Sequence, residues 1–126
     1  MDKVVHFELP ADNIDRAKKF YKETFGWNFD DWPDYTSIET TEVTHNDITT
    51  RTIRGNMFKR GEAENIINGP TLSVLVLDID HAIKKIKNAG GLILKDKTQI
   101  GNIGFSASFK DTEGNILNIW QPMNKQ

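Results

Sequence analysis

Shifting the sequence by 65 positions lays the segment from His6 to Trp27 over the segment from Thr71 to Leu92 without a gap. Ile14/Ile79, Asp15/Asp80, Ala17/Ala82, Lys19/Lys84, Lys22/Lys87 and Gly26/Gly91 are identical, and Phe7/Leu72, Leu9/Val74, Ala11/Val76 and Tyr21/Ile86 match in kind. A repeat of half the chain implies two copies of one supersecondary unit. Each is too small to bury its own apolar face, and so is built to pack against its twin or a second subunit. A cleft between equivalent strands is the expected consequence, and function is sought there.

Both copies open in the same way. Val5, Phe7 and Leu9 alternate with Val4, His6 and Glu8, the period of a strand with two different environments, and Pro10 is expected to end it. Asp12 or Asn13 then caps a helix whose apolar stripe is Ile14, Ala17, Phe20, Tyr21 and Phe25, with Gly26 suited to the left-handed position after its end. In the second copy the strand is Leu72 to Val76, the cap Asp78, the stripe Ile79, Ala82, Ile83, Ile86 and Ala89, and the stop Gly90-Gly91. Strand-prone segments follow each helix: Trp27–Phe29, Tyr35–Thr40 and Thr49–Phe58, then Leu92–Leu94, Gly104–Lys110 and Ile116–Gln121. Asp111-Thr112-Glu113-Gly114-Asn115 suits a hairpin turn, and Gly101-Asn102-Ile103-Gly104 reads as a turn, since it lacks the lysine and following helix of a phosphate loop. The chain is therefore expected to be an α+β fold, a single domain over 1–126 made of two βαβββ modules paired around a cleft. The modules fall at 3–58 and 71–123, with a polar linker at 59–70 between them.

Composition removes several functional classes. Sixteen Lys and Arg against eighteen Asp and Glu leave a formal charge of -2, so neither nucleic acid nor an anionic membrane is an expected partner. The absence of cysteine excludes a disulfide framework and thiolate chemistry. No stretch approaches the roughly 20 apolar residues of a membrane span, and the opening residues do not read as a signal peptide, so a cytoplasmic location is expected.

The repeated pattern resembles the vicinal oxygen chelate superfamily, which includes glyoxalase I, bleomycin-resistance proteins and extradiol dioxygenases. The likeness is carried by Val5-His6-Phe7-Glu8-Leu9-Pro10-Ala11-Asp12, by Ala17-Lys18-Lys19-Phe20-Tyr21 leading into Phe25-Gly26-Trp27, and by Phe109-Lys110-Asp111-Thr112-Glu113-Gly114-Asn115. The resemblance implies one divalent metal between the modules, held by a His or Gln on the opening strand of each and a Glu near the end of each, and acting as a Lewis acid. His6 occupies the first of those positions. Its repeat partner is Thr71, with Ser73 beside it, and the spacing in the last strand puts the neutral Asn118 where the acidic ligand belongs. No Asp or Glu occurs from Ile48 to Gly61, which leaves Asn56 or Arg54 as the polar group of the first module's closing strand. A catalytic zinc generally needs three protein ligands and hard cations need carboxylate oxygens, so one strong ligand out of four makes a deficient site.

The expected function is binding or conversion of a small, partly apolar organic molecule in the cleft, without a metal cofactor. His6 and Glu8 are the candidate catalytic residues. Thr71, Ser73, Asn56, Asn118 and Trp120 are candidate ligand contacts, Trp120 because it shares a strand face with Asn118, opposite Leu117 and Ile119. The alternatives are a metal-dependent lyase, isomerase or dioxygenase, with a divalent ion on His6, and a non-catalytic structural or regulatory dimer. Trp32 and Tyr35 are read as packing locally or at a subunit interface, His45 with Glu42 and Asp47 as a solvated turn, and His81 as exposed. A homodimer is expected, because two small modules with aromatic-rich hairpins have more apolar surface than a chain of 126 residues readily covers.

Overall fold

A computed structural model of the chain describes residues 1–41, 53–61 and 69–123. The chain divides into two compact units, His6–Pro70, and Thr71–Gln126 together with Met1–Val5. His45, Glu42, Asp47 and most of the expected linker lie outside the described residues.

The first unit runs β1 (Lys3–Ala11), α1 (Ile14–Phe25), β2 (Asn28–Asp31), β3 (Thr36–Glu39) and β4 (Arg54–Lys59). Its strands lie in the order β2-β3-β4-β1, with β1 parallel to β4 and the other neighbours antiparallel. The second unit repeats this arrangement with β5 (Thr71–Leu75), α2 (Ile79–Asn88), β6 (Leu92–Ile100), β7 (Gly104–Lys110) and β8 (Ile116–Pro122), in the order β5-β8-β7-β6. Its β5 is parallel to β8 and the remaining pairs are antiparallel. Each unit is therefore βαβββ with the same strand order, the outcome that the repeat in the sequence demands.

The two helices start alike. Asn13 sits in an extended conformation and its side chain accepts from the Arg16 amide at 3.0 Å, while Asp78, also extended, accepts from the His81 amide at 3.1 Å. Each cap satisfies an amide that helix geometry leaves without a partner. Asp15 and Asp80 in the first turns, and Lys22, Lys85 and Lys87 in the last, oppose the helix dipole with the favourable sign. The stops differ by one position. Gly26 takes the left-handed conformation after α1, φ +78°, but its repeat partner Gly91 does not, and Gly90 makes the turn after the shorter α2 with φ +100°.

The cores follow strand alternation. Phe7, Leu9 and Ala11 of β1 join Ile38, Met57, Phe29 and Trp27 under Ile14, Ala17 and Tyr21 of α1. In the second unit Val74, Val76, Ala107, Ile119, Phe105 and Phe109 pack under Ile79, Ala82, Ile83 and Ile86 of α2. Ile38, Met57 and Ile79 are the largest side chains wholly withdrawn from solvent.

Two strands outrun their expected ends. β1 continues through Pro10 to Ala11, because the Ala11 carbonyl still accepts from the Arg60 amide at 2.8 Å and a strand end tolerates the single donor that proline lacks. β6 extends from Leu92 to Ile100 instead of stopping at Leu94, the pairing with β7 shifting register between Ile93 and Lys95 and between Lys95 and Thr98 and resuming from Thr98 to Ile100. Residues 101–103 form the turn into β7. At the other hairpin the Asn115 side-chain amide donates to Asp111 at 3.0 Å and the backbone amides of Asn115 and Glu113 each at 2.8 Å, and these bonds to its carboxylate, the first foremost, hold its pKa below the usual range. No helix among the described residues is long and apolar enough to cross a membrane.

Candidate functional site

The side of each sheet turned away from its helix carries the polar residues. Residues directly opposite on paired strands share a face, and in the first unit Glu8 lies opposite Asn56 and Asn56 opposite Ser37. One step along, His6 lies opposite Arg54, and the Arg54 guanidinium forms an ion pair with Glu39. The second unit has the equivalent row: Ser73 lies opposite Asn118 and Asn118 opposite Ser108. The Ser108 hydroxyl donates to Asn118 Oδ1 at 2.7 Å. The next row holds Leu75, Trp120 and Ser106, and the Thr71 hydroxyl donates to the Ile116 carbonyl at 2.6 Å.

Thus His6, Glu8 and Asn56 come together in the first unit, and Ser73, Asn118 and Trp120 in the second. Thr71 and Ser73 are buried, with the Thr71 donor already committed to the backbone. Trp120 stands on the face away from α2, its indole over Gly104, where any larger residue would strike the ring. His81 is exposed on α2, as expected. Trp32 and Tyr35 stack on each other, with ring centroids 6.2 Å apart. Ser37, Glu39 and Ser108 escaped the sequence reading. Their alternation within Tyr35–Thr40 and Gly104–Lys110 marked them as one-faced, but only the strand register shows that they border Asn56, Arg54 and Asn118.

The electrostatics of the first row are unusual. Burial, reinforced by the positive charge of Arg54, pushes the His6 pKa down, so the imidazole is neutral at pH 7. Burial pushes the Glu8 carboxyl up. His6 and Glu8 are two residues apart on one strand face, roughly 7 Å by strand rise. A neutral imidazole can accept a proton or a hydrogen bond, and the raised pKa makes the Glu8 carboxylate a stronger base than an exposed one.

The same surroundings fit a divalent metal poorly. No three His, Asp or Glu side chains among the described residues lie together as a cation site. The group across the strand from His6 is itself a cation, Arg54, and the nearby Glu39 carboxylate is already committed to it in an ion pair. Neutral Asn56 and Asn118 stand in the closing strands where carboxylates would be needed.

A tandem βαβββ chain with polar residues on the open faces of its sheets belongs to a recognisable class, and comparison with known proteins gives the class a family. Residues 3–41 match the family model for the bleomycin resistance protein-like N-terminal region. The chain is 32% identical over 114 residues to a glyoxylase-like domain-containing protein of Didymella fabae, covering 86% of this chain and 84% of the relative. It belongs to the glyoxalase/bleomycin-resistance/dioxygenase superfamily. Among solved structures it resembles a superfamily member from Vibrio splendidus, with a TM-score of 0.62, 15% identity, and coverage of 96% of this chain and 99% of that one. It also resembles methylmalonyl-CoA epimerase from Mycobacterium tuberculosis, with a TM-score of 0.64, 11% identity, and coverage of 96% and 88%. At such identities these structures speak for the fold alone.

Proposed function

We propose that the protein binds or converts a small, partly apolar organic molecule on the polar faces of its βαβββ sheets, without a divalent metal. The observation that carries this reading is the row in which neutral His6 faces Arg54 beside Glu8 and Asn56. These residues offer hydrogen bonds and an ion pair in which the Glu39 carboxylate is already engaged by Arg54 rather than left for a metal. Trp120 and Leu75, next to Ser73 and Asn118 in the second unit, supply apolar contact area with a few orienting polar atoms, the mixture typical of small-molecule sites. Where the ligand is converted, Glu8 and His6 are the groups that move the proton. A homodimer is part of the same reading, since Phe25, Trp32 and Tyr35 leave aromatic surface uncovered.

The test is elemental analysis of protein purified without chelator, followed by a ligand screen against the Trp120→Ala, Glu8→Gln and His81→Ala variants. Metal should be far below one per chain. Trp120→Ala should weaken a screened aromatic compound by about 1 to 3 kcal/mol, and the exposed His81→Ala should not change it. Glu8→Gln should keep binding and lose any turnover. One Zn, Ni, Mn or Fe per chain, released by His6→Ala, would overturn the metal-free reading. Sedimentation showing only monomer at tens of micromolar would remove the dimer.

A further inference from the structure

The His6–Pro70 unit contains an open cavity of about 540 Å3 that owes nothing to the polar sheet face. It lies beside the first turns of α1, where the ends of β1 and β4 meet residues 69–70. Leu9, Ala11 and Met57, which line it, belong to the core on the helix side of the sheet, whereas His6 and Glu8 point to the opposite side.

Its chemistry is divided. Phe20 and Tyr21 contribute apolar surface over the buried Met57, and Phe20 is 58% exposed although Tyr21 meets it edge-on at 5.1 Å. Arg16 and Arg60 contribute guanidinium groups, against the single carboxylate of Asp12. Arg60 Nε donates to Asp12 Oδ1 at 3.0 Å, which balances that pair internally. Arg16 makes no ion pair among the described residues, so one positive charge is left beside an aromatic surface that water solvates badly. A void of this size takes a compound of ordinary metabolite dimensions.

We propose that this cavity is a second binding site, for a small organic monoanion with an aromatic body: Arg16 meets the anion, and Phe20 and Tyr21 meet the ring. A guanidinium matches a carboxylate in two-point geometry. The body must be apolar because the two rings offer it no hydrogen bonds beyond the Tyr21 hydroxyl. A polyanion is disfavoured, since Arg60 is already paired with Asp12 and Arg16 alone is left to meet a negative charge.

The experiment is a titration of the isotope-labelled full chain, followed by amide chemical shifts, with phenylacetate, its neutral analogue phenylacetamide, and acetate. Phenylacetate should produce saturable shifts in residues 9–21 and 57–60, while phenylacetamide and acetate bind at least several-fold more weakly. Arg16→Gln keeps a good helix former at an exposed position, so it folds, and it should weaken phenylacetate by roughly 3- to 10-fold without changing phenylacetamide. Three results would overturn the proposal: no saturable shifts up to about 20 mM, shifts confined to the His6 and Asn118 faces, or an Arg16→Gln variant that binds phenylacetate as well as the parent. The metal and Trp120 experiments on the sheet faces are read independently, so neither site's failure hides the other's.

Discussion

Gly104→Ala is the substitution that most directly probes how Trp120 is held. Gly104 begins β7, lies opposite Ile100 across one hairpin and opposite Pro122 on β8, and is buried. A methyl group built there would lie 2.4 Å from the Gln121 carbonyl oxygen, and 2.7 and 2.8 Å from Cη2 and Cζ2 of Trp120. Ordinary contacts begin near 3.4 Å, so the ring must withdraw by more than half an ångström and the β8 backbone by more. Rotating an indole is inexpensive, but moving a carbonyl inside a hydrogen-bonded ladder is not. The cost therefore falls at the upper end of the overpacking range, about 3 kcal/mol, or roughly 10 °C in melting temperature for a chain of this length.

Thermal unfolding followed by circular dichroism measures that loss. Gly114→Ala provides the contrast, since Gly114 has φ +87° and nothing within 4 Å of a built Cβ, which leaves only backbone strain of about 1 kcal/mol. Adding Trp120→Ala to Gly104→Ala should recover about 1 kcal/mol of the clash by double-mutant cycle, the remainder persisting because the Gln121 oxygen stays in place. Gly104→Ala costing no more than Gly114→Ala, or no coupling to Trp120, would refute the placement of the indole over β7.

Ile79→Ala should cost about 2 to 4 kcal/mol in urea unfolding, because Ile79 is fully buried at the start of α2 among Val76, Ala107 and Ile119. Asn13→Ala and Asp78→Ala should each cost about 1 kcal/mol, and Asn13→Asp or Asp78→Asn far less, since either side chain can accept the same amide bond. Stability measured against pH should separate His6 from Glu8. The lowered His6 pKa contributes stability that is present above its unfolded pKa, near 6.5, and is lost as pH falls through the folded value, so His6→Gln should flatten that acid decline. The raised Glu8 pKa acts oppositely. Its contribution is full below the unfolded pKa, near 4.5, and is lost as pH rises through the folded value, so Glu8→Gln should stabilise the protein at pH 7 and gain nothing at pH 4.

The architecture was written in the chain itself. Alternation of Val5, Phe7 and Leu9 against His6 and Glu8 decided which face of β1 meets α1, and the same alternation placed Trp120 and Asn118 opposite Ile119. The cap at Asp78 and the stop at Gly26 were equally plain, because they depend on backbone amides within one turn and on φ, while the structure chose Asn13 over Asp12 for the first helix. The 65-residue repeat then carried those local rules from one half to the other. Where local rules compete with a neighbouring strand, sequence alone misjudged the ends: Pro10 stays in β1 because Arg60 completes the ladder, and β6 runs on to Ile100 because β7 pairs with it again from Thr98 onward after two register shifts. The site divided along the same line. His6 and Glu8 belong to one strand and could be grouped from their spacing. That Arg54 faces His6, that Glu39 pairs with Arg54, that Ser108 binds Asn118, and that Arg16, Arg60 and Phe20 surround one cavity are facts of strand register and helix docking. A one-residue slip in either would exchange every neighbour while leaving the sequence pattern of each element unchanged.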